Sequence, residues 1–399
     1  MDQPTVLVSG AGVAGLALAH WLTEFGYRVV AVESAPTIRP GGQTVDLRGA
    51  GREVVTRMGL MPSVLSRTVD QRGIAWVHAD GRRRAEMPVT AFHGSGMVSA
   101  VEVLRGDLVD VLYEATRDRA QYRFSTRISA IDGTVATLSD GTQVAADLIV
   151  GADGPHSNVR RLVFGPEEQF GKYLGGYNAW FTAPDMAGLD GWYLMYQEPG
   201  RNASMRPSHD PALCKAGLAF RSEPIDYDRR DTTAQLALLS RQFSGTGWHC
   251  PALLEAARAS EDFYFDAFVQ IHMPAVSQGR VTLVGDAGYC ASPLSGMGTT
   301  LALAGAYVLA GELGPANNLD PDQIPAALAR YEAVMRPLIT RCQDLPNGIE
   351  GYLPKSEKDI ALTAQVMKWM QRWPFRPFAE RKWFTTGDTI ALPEYPAER

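Results

Sequence analysis

The sequence predicts an α/β protein, a strand–helix domain interrupted by a β-rich insertion and completed late in the chain. Three observations carry this. A strand, glycine turn and helix follow one another in "VLVSGAGVAGLALA" at residues 6–19. From about 166 to 275 the pattern changes to short alternating runs rich in Tyr, Trp and Met. A second strand and glycine-rich turn, "LVGDAGYCASPLSGMGTTLA", then stands at 283–302.

The bulk composition agrees with that reading. A chain of 399 residues has room for two domains or one large core with an inserted layer. Hydrophobic residues make up 45% and charged residues 21%, the composition of a soluble globular protein. The net charge of −6 comes with no basic excess, so neither nucleic acid nor a membrane surface is expected as a partner. No apolar run reaches membrane-spanning length, and the first ten residues form a strand, not a leader. Four scattered cysteines, Cys214, Cys250, Cys290 and Cys342, include no CxxC pair. They predict reduced thiols in a cytoplasm, with no disulfide framework or zinc site. The seven histidines show no HxxE or HxH spacing, so no metal site is expected.

In chain order, "TVLVSG" is a near-continuous apolar run, as a strand buried on both faces should be. "GLALAHWLTEFG" has helical spacing and stops at Gly26, and "YRVVAVES" is the second strand. Residues 36–52, rich in Pro and Gly, are expected as a loop, and 100–117 as a helix. The turn signals Asp132-Gly133 and Asp140-Gly141 predict a small β-meander, followed by the apolar strand in "DLIVGADG". The insertion predicts an antiparallel sheet. A long helical stretch follows "GRVTLVGDAG" through about 344, and 356–373 is an amphipathic helix before an irregular tail.

The first motif carries chemistry at defined positions. Gly10 allows the tight turn, Gly12 lets the backbone approach a pyrophosphate, and Gly15 lets helix and strand pack closely. Val13 and Ala14 open the helix, whose free N–H groups face the phosphates. Glu33, at the end of the second strand, is placed to accept hydrogen bonds from an adenosine ribose. This fingerprint does not separate NAD(P) from FAD. In "DLIVGADGPHSNVRR", Asp153-Gly154 follows an apolar strand, with Ser157 and Arg160 beyond. That pattern fits a ligand-directed carboxylate, and equally an N-cap aspartate beside a surface arginine. In the third motif Gly285 precedes Asp286, an acceptor for a ribityl hydroxyl. Pro293 follows in the turn, and the Gly296-Met297-Gly298 segment then exposes backbone N–H groups to developing negative charge.

In this order and spacing, the three motifs resemble those of the class A FAD-dependent monooxygenases, the aromatic hydroxylase family, from about residue 5 to 345. The compact length, the "GGQTVDLRG" loop and the last long helix are most similar to the flavin monooxygenases that inactivate tetracyclines and to polyketide-tailoring hydroxylases. The resemblance implies a Rossmann-like FAD domain of the GR2 type built from 1–70, 96–165 and 276–345. It implies a substrate domain from 71–95 and 166–275, and a bridging C-terminal helix and tail over 346–399. It places Asp46, Arg48 and Arg105 at FAD, and gives Asp153 a part in binding FAD and NADPH; Arg39 either meets NADPH or is a surface charge. Two departures stand out: Gly288-Tyr289 where the family commonly has Ala-His, and Thr299-Thr300 where it has Asn.

The insertion should supply the substrate pocket. Tyr177, Trp180, Trp192, Tyr193, Met195 and Tyr196 are expected on a sheet face that covers a flat polycyclic molecule or serves as core. Arg201 or Arg206 is placed to pair with a phenolate or enolate oxygen, unless it is a surface charge. The expected activity is hydroxylation of an aromatic or enolic carbon through a flavin C4a-hydroperoxide, with FAD as cofactor and NADPH or NADH and O₂ as co-substrates. No side chain is assigned as a general base, because the flavin carries the chemistry. The alternatives are a flavin reductase or dehydrogenase of the same fold and a non-catalytic flavin redox protein. A monomer or homodimer is compatible with the sequence.

Overall fold

The segment Thr5–Ser9 is apolar on both faces, and it runs through the middle of a six-stranded sheet. The computed structural model describes residues 3–39, 41–94, 99, 101–346, 348–372 and 391–395. Across the sheet the strands are Ser277–Gln278, Val281–Leu283, Leu148–Gly151, Thr5–Ser9, Arg28–Val32 and Gln121–Arg123. All neighbours run parallel except the first pair. Register is the feature that matters for function. Ser9 lies opposite both Gly151 and Val32, and Gly151 lies opposite Leu283. All three sequence motifs therefore emerge at one edge, the C-terminal edge of a parallel sheet, where nucleotides bind in such folds.

Helices cover this sheet. Val13–Glu24 leaves the first strand and packs on Gly298–Leu313. The latter is apolar all round, with twelve of its sixteen residues buried. A central helix enclosed by Val13–Glu24, Gly49–Arg57 and Ile324–Gln343 needs that composition. The expected meander forms as Ile128–Asp132, Val135–Leu138 and Gln143–Ala145. Its turn glycines, Gly133 and Gly141, have φ of +58° and +83°.

Two expectations are corrected. Residues 36–52 are not all loop: they hold the strand Thr44–Asp46 and the start of helix Gly49–Arg57. The helix expected over 100–117 is Arg105–Glu114, and Glu102–Leu104 before it form a strand. These two short strands pair antiparallel, with Asp46 opposite Glu102. Each exists because of a partner far away in sequence, which local periodicity does not register.

The insertion builds a seven-stranded sheet, ordered Tyr264–Ile271, Gly171–Pro184, Leu213–Arg221, Arg201–Pro207, Trp192–Glu198, Gly73–Val77, Arg83–Pro88. It is antiparallel apart from one pairing, Trp192–Glu198 with Gly73–Val77. One face, with Tyr177, Leu194, Tyr196 and Met205, packs on helices Thr232–Gln242 and Cys250–Ala259. The other carries Ile74, Trp76, Tyr193 and Met195 under helix Glu357–Met370. The aromatic residues expected on a single face are thus divided. Side chains alternate along a strand, so Tyr193 and Met195 point away from Trp192 and Tyr196.

The end of the chain touches both layers. Helix Glu357–Met370 lies on the seven-stranded sheet, and Gln371 donates to the Glu86 carbonyl (2.8 Å). Residues 391–395 return to the nucleotide layer. The Pro393 carbonyl accepts from Arg57 (2.8 Å) and Tyr307 (2.9 Å). The Tyr395 ring fills the space that a side chain on Gly311 would need.

One of the tightest approaches in the nucleotide layer predicts a measurable cost. A Cβ on Gly15 would collide with the Gly10 carbonyl oxygen, which is rigid backbone. Gly15→Ala should therefore destabilise the protein by about 3 kcal/mol or more, read as a lower denaturation midpoint. A midpoint equal to wild type would contradict the packing described.

Candidate functional site

The first strand ends in Gly10, which has φ +108° and donates its N–H to the Val32 carbonyl (2.7 Å). A side chain there would come within 2.5 Å of the Ala152 carbonyl oxygen. Gly12 caps the next helix, and no side chain satisfies the first N–H groups of Val13–Glu24. Unsatisfied donors at the positive end of a helix form an anion site. Glu33 accepts from Ala11 N–H (2.9 Å) with one oxygen, and from Ala35 N–H (2.8 Å) and Ser34 Oγ (3.1 Å) with the other. It fixes the glycine loop and stays half-exposed beside it.

Arg105 opens the helix Arg105–Glu114. Its Nη2 lies 3.5 Å from where a Cβ on Gly12 would be, and its stem rests against Gly42. Burial, and next the charge of Arg39, push its pKa below the ordinary guanidinium value, while Asp286 opposes them. The guanidinium has no hydrogen-bond partner among the described residues. A half-buried cation facing free helix N–H groups across a glycine cradle fits a pyrophosphate.

The second glycine turn touches the first. Gly285 has φ +65°, and a Cβ on it would sit 2.9 Å from the Cβ of Ala14. Asp286 follows, its pKa raised by burial and lowered by Arg105. Its Oδ1 is 3.8 Å from the Cβ position of Gly298. Gly298–Leu313 starts behind Met297 with no side-chain cap, a second free helix N-terminus. Before it come the turn Pro293–Ser295 and Gly296, which has φ +64° and open space around it. Arg105, Asp286, Met297 and Gly298 thus line one groove whose chemistry fits a long dinucleotide. One departure from the family pattern acquires a reason here. The Tyr289 hydroxyl meets that of Tyr331 (2.9 Å), in space that a side chain on Gly305 would close.

Asp153 is occupied locally. It accepts from Ser157 Oγ (2.5 Å), Asn158 N–H (2.9 Å), Val159 N–H (3.2 Å) and Ser9 Oγ (3.3 Å). Burial raises its pKa against these donors. Beside it, His156 joins the two layers: Nε2 meets Asp266 of the seven-stranded sheet (2.7 Å) and Nδ1 meets Glu167 (2.9 Å). Glu167 also takes Arg160 (3.1 Å) and Arg229 (3.0 Å). Burial works against a charged His156, yet its bonds to Asp266 and Glu167 raise the pKa to about 9.

Of the candidates Tyr193, Met195, Arg201 and Arg206, three share a face. Tyr193 and Met195 stand on the side covered by Glu357–Met370, and Arg206 joins them with its Cζ 4.0 Å above the Tyr193 ring. Arg206 donates to Thr44 Oγ1 (2.7 Å), and its buried Nε has no partner among the described residues. Arg201 is not brought there. It lies on the opposite face, donating to the Gln242 carbonyl (2.5 Å). Asp46 accepts from Ser99 N–H (3.2 Å) and Arg48 (3.4 Å).

Sequence reasoning missed Glu102, Thr44 and the His156–Asp266 tie. The available signal for Glu102 was an acid three residues before Arg105 with apolar neighbours on either side. The other two depend on contacts between distant segments.

The chain matches the family model described as FAD binding domain over residues 3–344. It is 38% identical to a flavin-dependent monooxygenase of Legionella longbeachae, over 89% of this chain and 92% of that one. The crystal structure of tetracycline destructase Tet(51) superposes with a TM-score of 0.80 at 30% identity, covering 99% of both chains. That of Tet(55) gives 0.78 at 32% identity, covering 98% of this chain and 99% of that one.

Two outcomes follow for this site. Arg105→Ala should weaken FAD retention at least roughly tenfold, measured by flavin release on dialysis. Unchanged retention would remove Arg105 from the cofactor site. His156 has a folded pKa of about 9, above its unfolded value of 6.5. Its stabilising contribution, on the order of 2 kcal/mol, is therefore complete below the unfolded value and lost as pH rises through the folded one. Across that window wild type should lose more melting temperature than His156→Gln, and parallel curves would refute the tie.

Proposed function

Given that the chain belongs to the FAD-binding-domain family of flavin-dependent monooxygenases, we propose that it inserts one oxygen atom into an aromatic or enolic carbon of a polycyclic substrate at the expense of NADPH or NADH. One observation carries the reading. The groove with two free helix N-termini, Arg105 and Asp286 belongs to the same molecule as a sheet face bearing Tyr193, Met195 and Arg206. The tetracycline destructases to which the chain is similar act, by name, on tetracyclines, and a flat enol of that chemistry is the substrate class proposed.

Backbone N–H groups at Gly12, Val13 and Ala14 bind the pyrophosphate, with Arg105 neutralising it from the other side. Glu33 turns to the adenosine ribose, and Asp286 accepts from a ribityl hydroxyl. The N–H group at Gly298, which opens its helix, stabilises negative charge on the ring system, beside Met297, whose own N–H is held by Ser295 Oγ (3.1 Å). FAD, when bound, supplies electron transfer and oxygen activation. Arg206 holds an anionic oxygen of the substrate, while Tyr193 and Met195 contact its flat apolar surface. Helix Glu357–Met370 covers that face and limits water. We place the enzyme in the cytoplasm, in keeping with four buried free cysteines. No helix among the described residues is long and apolar enough to cross a membrane.

The test is turnover of tetracyclines and polycyclic phenols by the FAD-loaded protein with NADPH. The expected result is NADPH oxidation matched by oxygen uptake, with a product heavier by one oxygen atom. Product formed equally well without oxygen would replace this reading with that of a reductase. Arg206→Gln should raise KM roughly tenfold or more with a smaller effect on kcat, the signature of lost binding.

A further inference from the structure

Antiparallel pairing sets Asp46 directly opposite Glu102, so both carboxyls lie on one face of the two-stranded ribbon. Like charges opposed in this way repel, and here the environment sharpens the conflict. Glu102 is 1% exposed, and neither of its oxygens has a hydrogen-bond donor among the described residues. Its carboxyl and that of Asp46 are close enough to hydrogen-bond, which requires a proton between them. Burial, with the Asp46 charge second, holds the pKa of Glu102 well above the usual carboxylate range.

The groups facing this pair come from four directions. Arg48 follows Asp46 in the chain at 3.4 Å, and Ser99 N–H caps the other Asp46 oxygen (3.2 Å). From the seven-stranded sheet, Arg206 Nη1 lies 3.8 Å from Glu102 Oε1. Beyond it stand Tyr193 under the guanidinium and Tyr352, both within electrostatic reach of Arg206. Arg206 therefore has one buried carboxyl as its counter-ion, and that carboxyl has a rival use for a proton.

We propose that Asp46 and Glu102 share one proton across the ribbon, which leaves the Arg206 cation uncompensated and ready for an anionic oxygen of the substrate. Glu102 is thereby a positioning residue, acting through Arg206. With the proton held, Glu102 is a neutral acid and Arg206 binds phenolate, enolate or carboxylate. When the proton leaves, Glu102 becomes the ion-pair partner of Arg206 and competes with the ligand. The inference rests on the reading of Arg206 as a substrate anchor, and it restricts the substrate to molecules bound through an anionic oxygen.

The test uses the FAD-loaded enzyme and naphthoate, an aromatic anion whose charge stays fixed from about pH 6 to about pH 10. Wild-type affinity, followed by flavin absorbance, should fall by up to about tenfold per pH unit on the alkaline side. In Glu102→Gln that alkaline limb should vanish, because the amide neither ionises nor pairs with Arg206. Infrared difference spectra over the same range should show a neutral carboxylic acid band in wild type that Glu102→Gln lacks. Should that variant fail to fold, Asp46→Asn serves: its amide donates to Glu102, which then ionises readily, and the neutral band disappears. An alkaline limb and band that persist in the folded variant overturn the shared proton while leaving the anchor intact. Conversely, wild-type affinity in Arg206→Gln overturns the anchor, and the infrared band still decides the shared proton.

Discussion

Three chain segments meet at a single sheet edge at distances that leave no freedom to the groups around them. There is no room for a methyl group between Gly15 and the Gly10 carbonyl, and almost none between Gly10 and Ala152 or between Gly285 and Ala14. Interiors are packed densely enough that such contacts cannot be relieved by small shifts. The parallel register aligns Ser9, Gly151 and Leu283, and the glycines then let strand ends, turns and helix starts merge. Everything that faces the groove is positioned relative to that junction. The long helix Gly298–Leu313 extends the same junction into the core, where its buried length makes it a fixed axis.

The sheet edge was legible in the sequence because it is written in residues with few alternatives. A glycine at positive φ, an apolar strand without a polar face and an acid at a strand end each have a local signature. The meander and the central helix were legible for the same reason. What escaped was pairing between short segments: Thr44–Asp46 and Glu102–Leu104 look like loop and helix until each is seen beside the other. The facing of side chains in the insertion escaped as well. Tyr193 and Tyr196 are near neighbours in sequence, but alternation sends one toward Arg206 and the other into a separate core. Arg201 and Arg206 divide similarly. Composition marks such residues as candidates, and only register assigns them a side.

Charge is distributed by a consistent logic. Buried ions are costly unless paired, and the chain pairs nearly all of them: His156 between two acids, Arg160 on Glu167, Lys215 on Asp262 at 3.0 Å. Three charged groups assigned to the proposed site depart from this. Among the described residues, Arg105 has no hydrogen-bonding partner, Arg206 has an unmet Nε–H, and Glu102 has no donor.

The returning segment 391–395 changes how the two layers are held together. Helix Glu357–Met370 grips the seven-stranded sheet, while Pro393 and Tyr395 grip the helices of the nucleotide layer. Both grips belong to one chain, so each raises the effective concentration of the other. A contact too small to persist between separate molecules can persist in this arrangement. A single peptide-bond cleavage between residues 372 and 391 would remove no side chain, yet it would turn an intramolecular equilibrium into a bimolecular one. The chain's last described turn of contact is therefore maintained by connectivity as much as by its own hydrogen bonds.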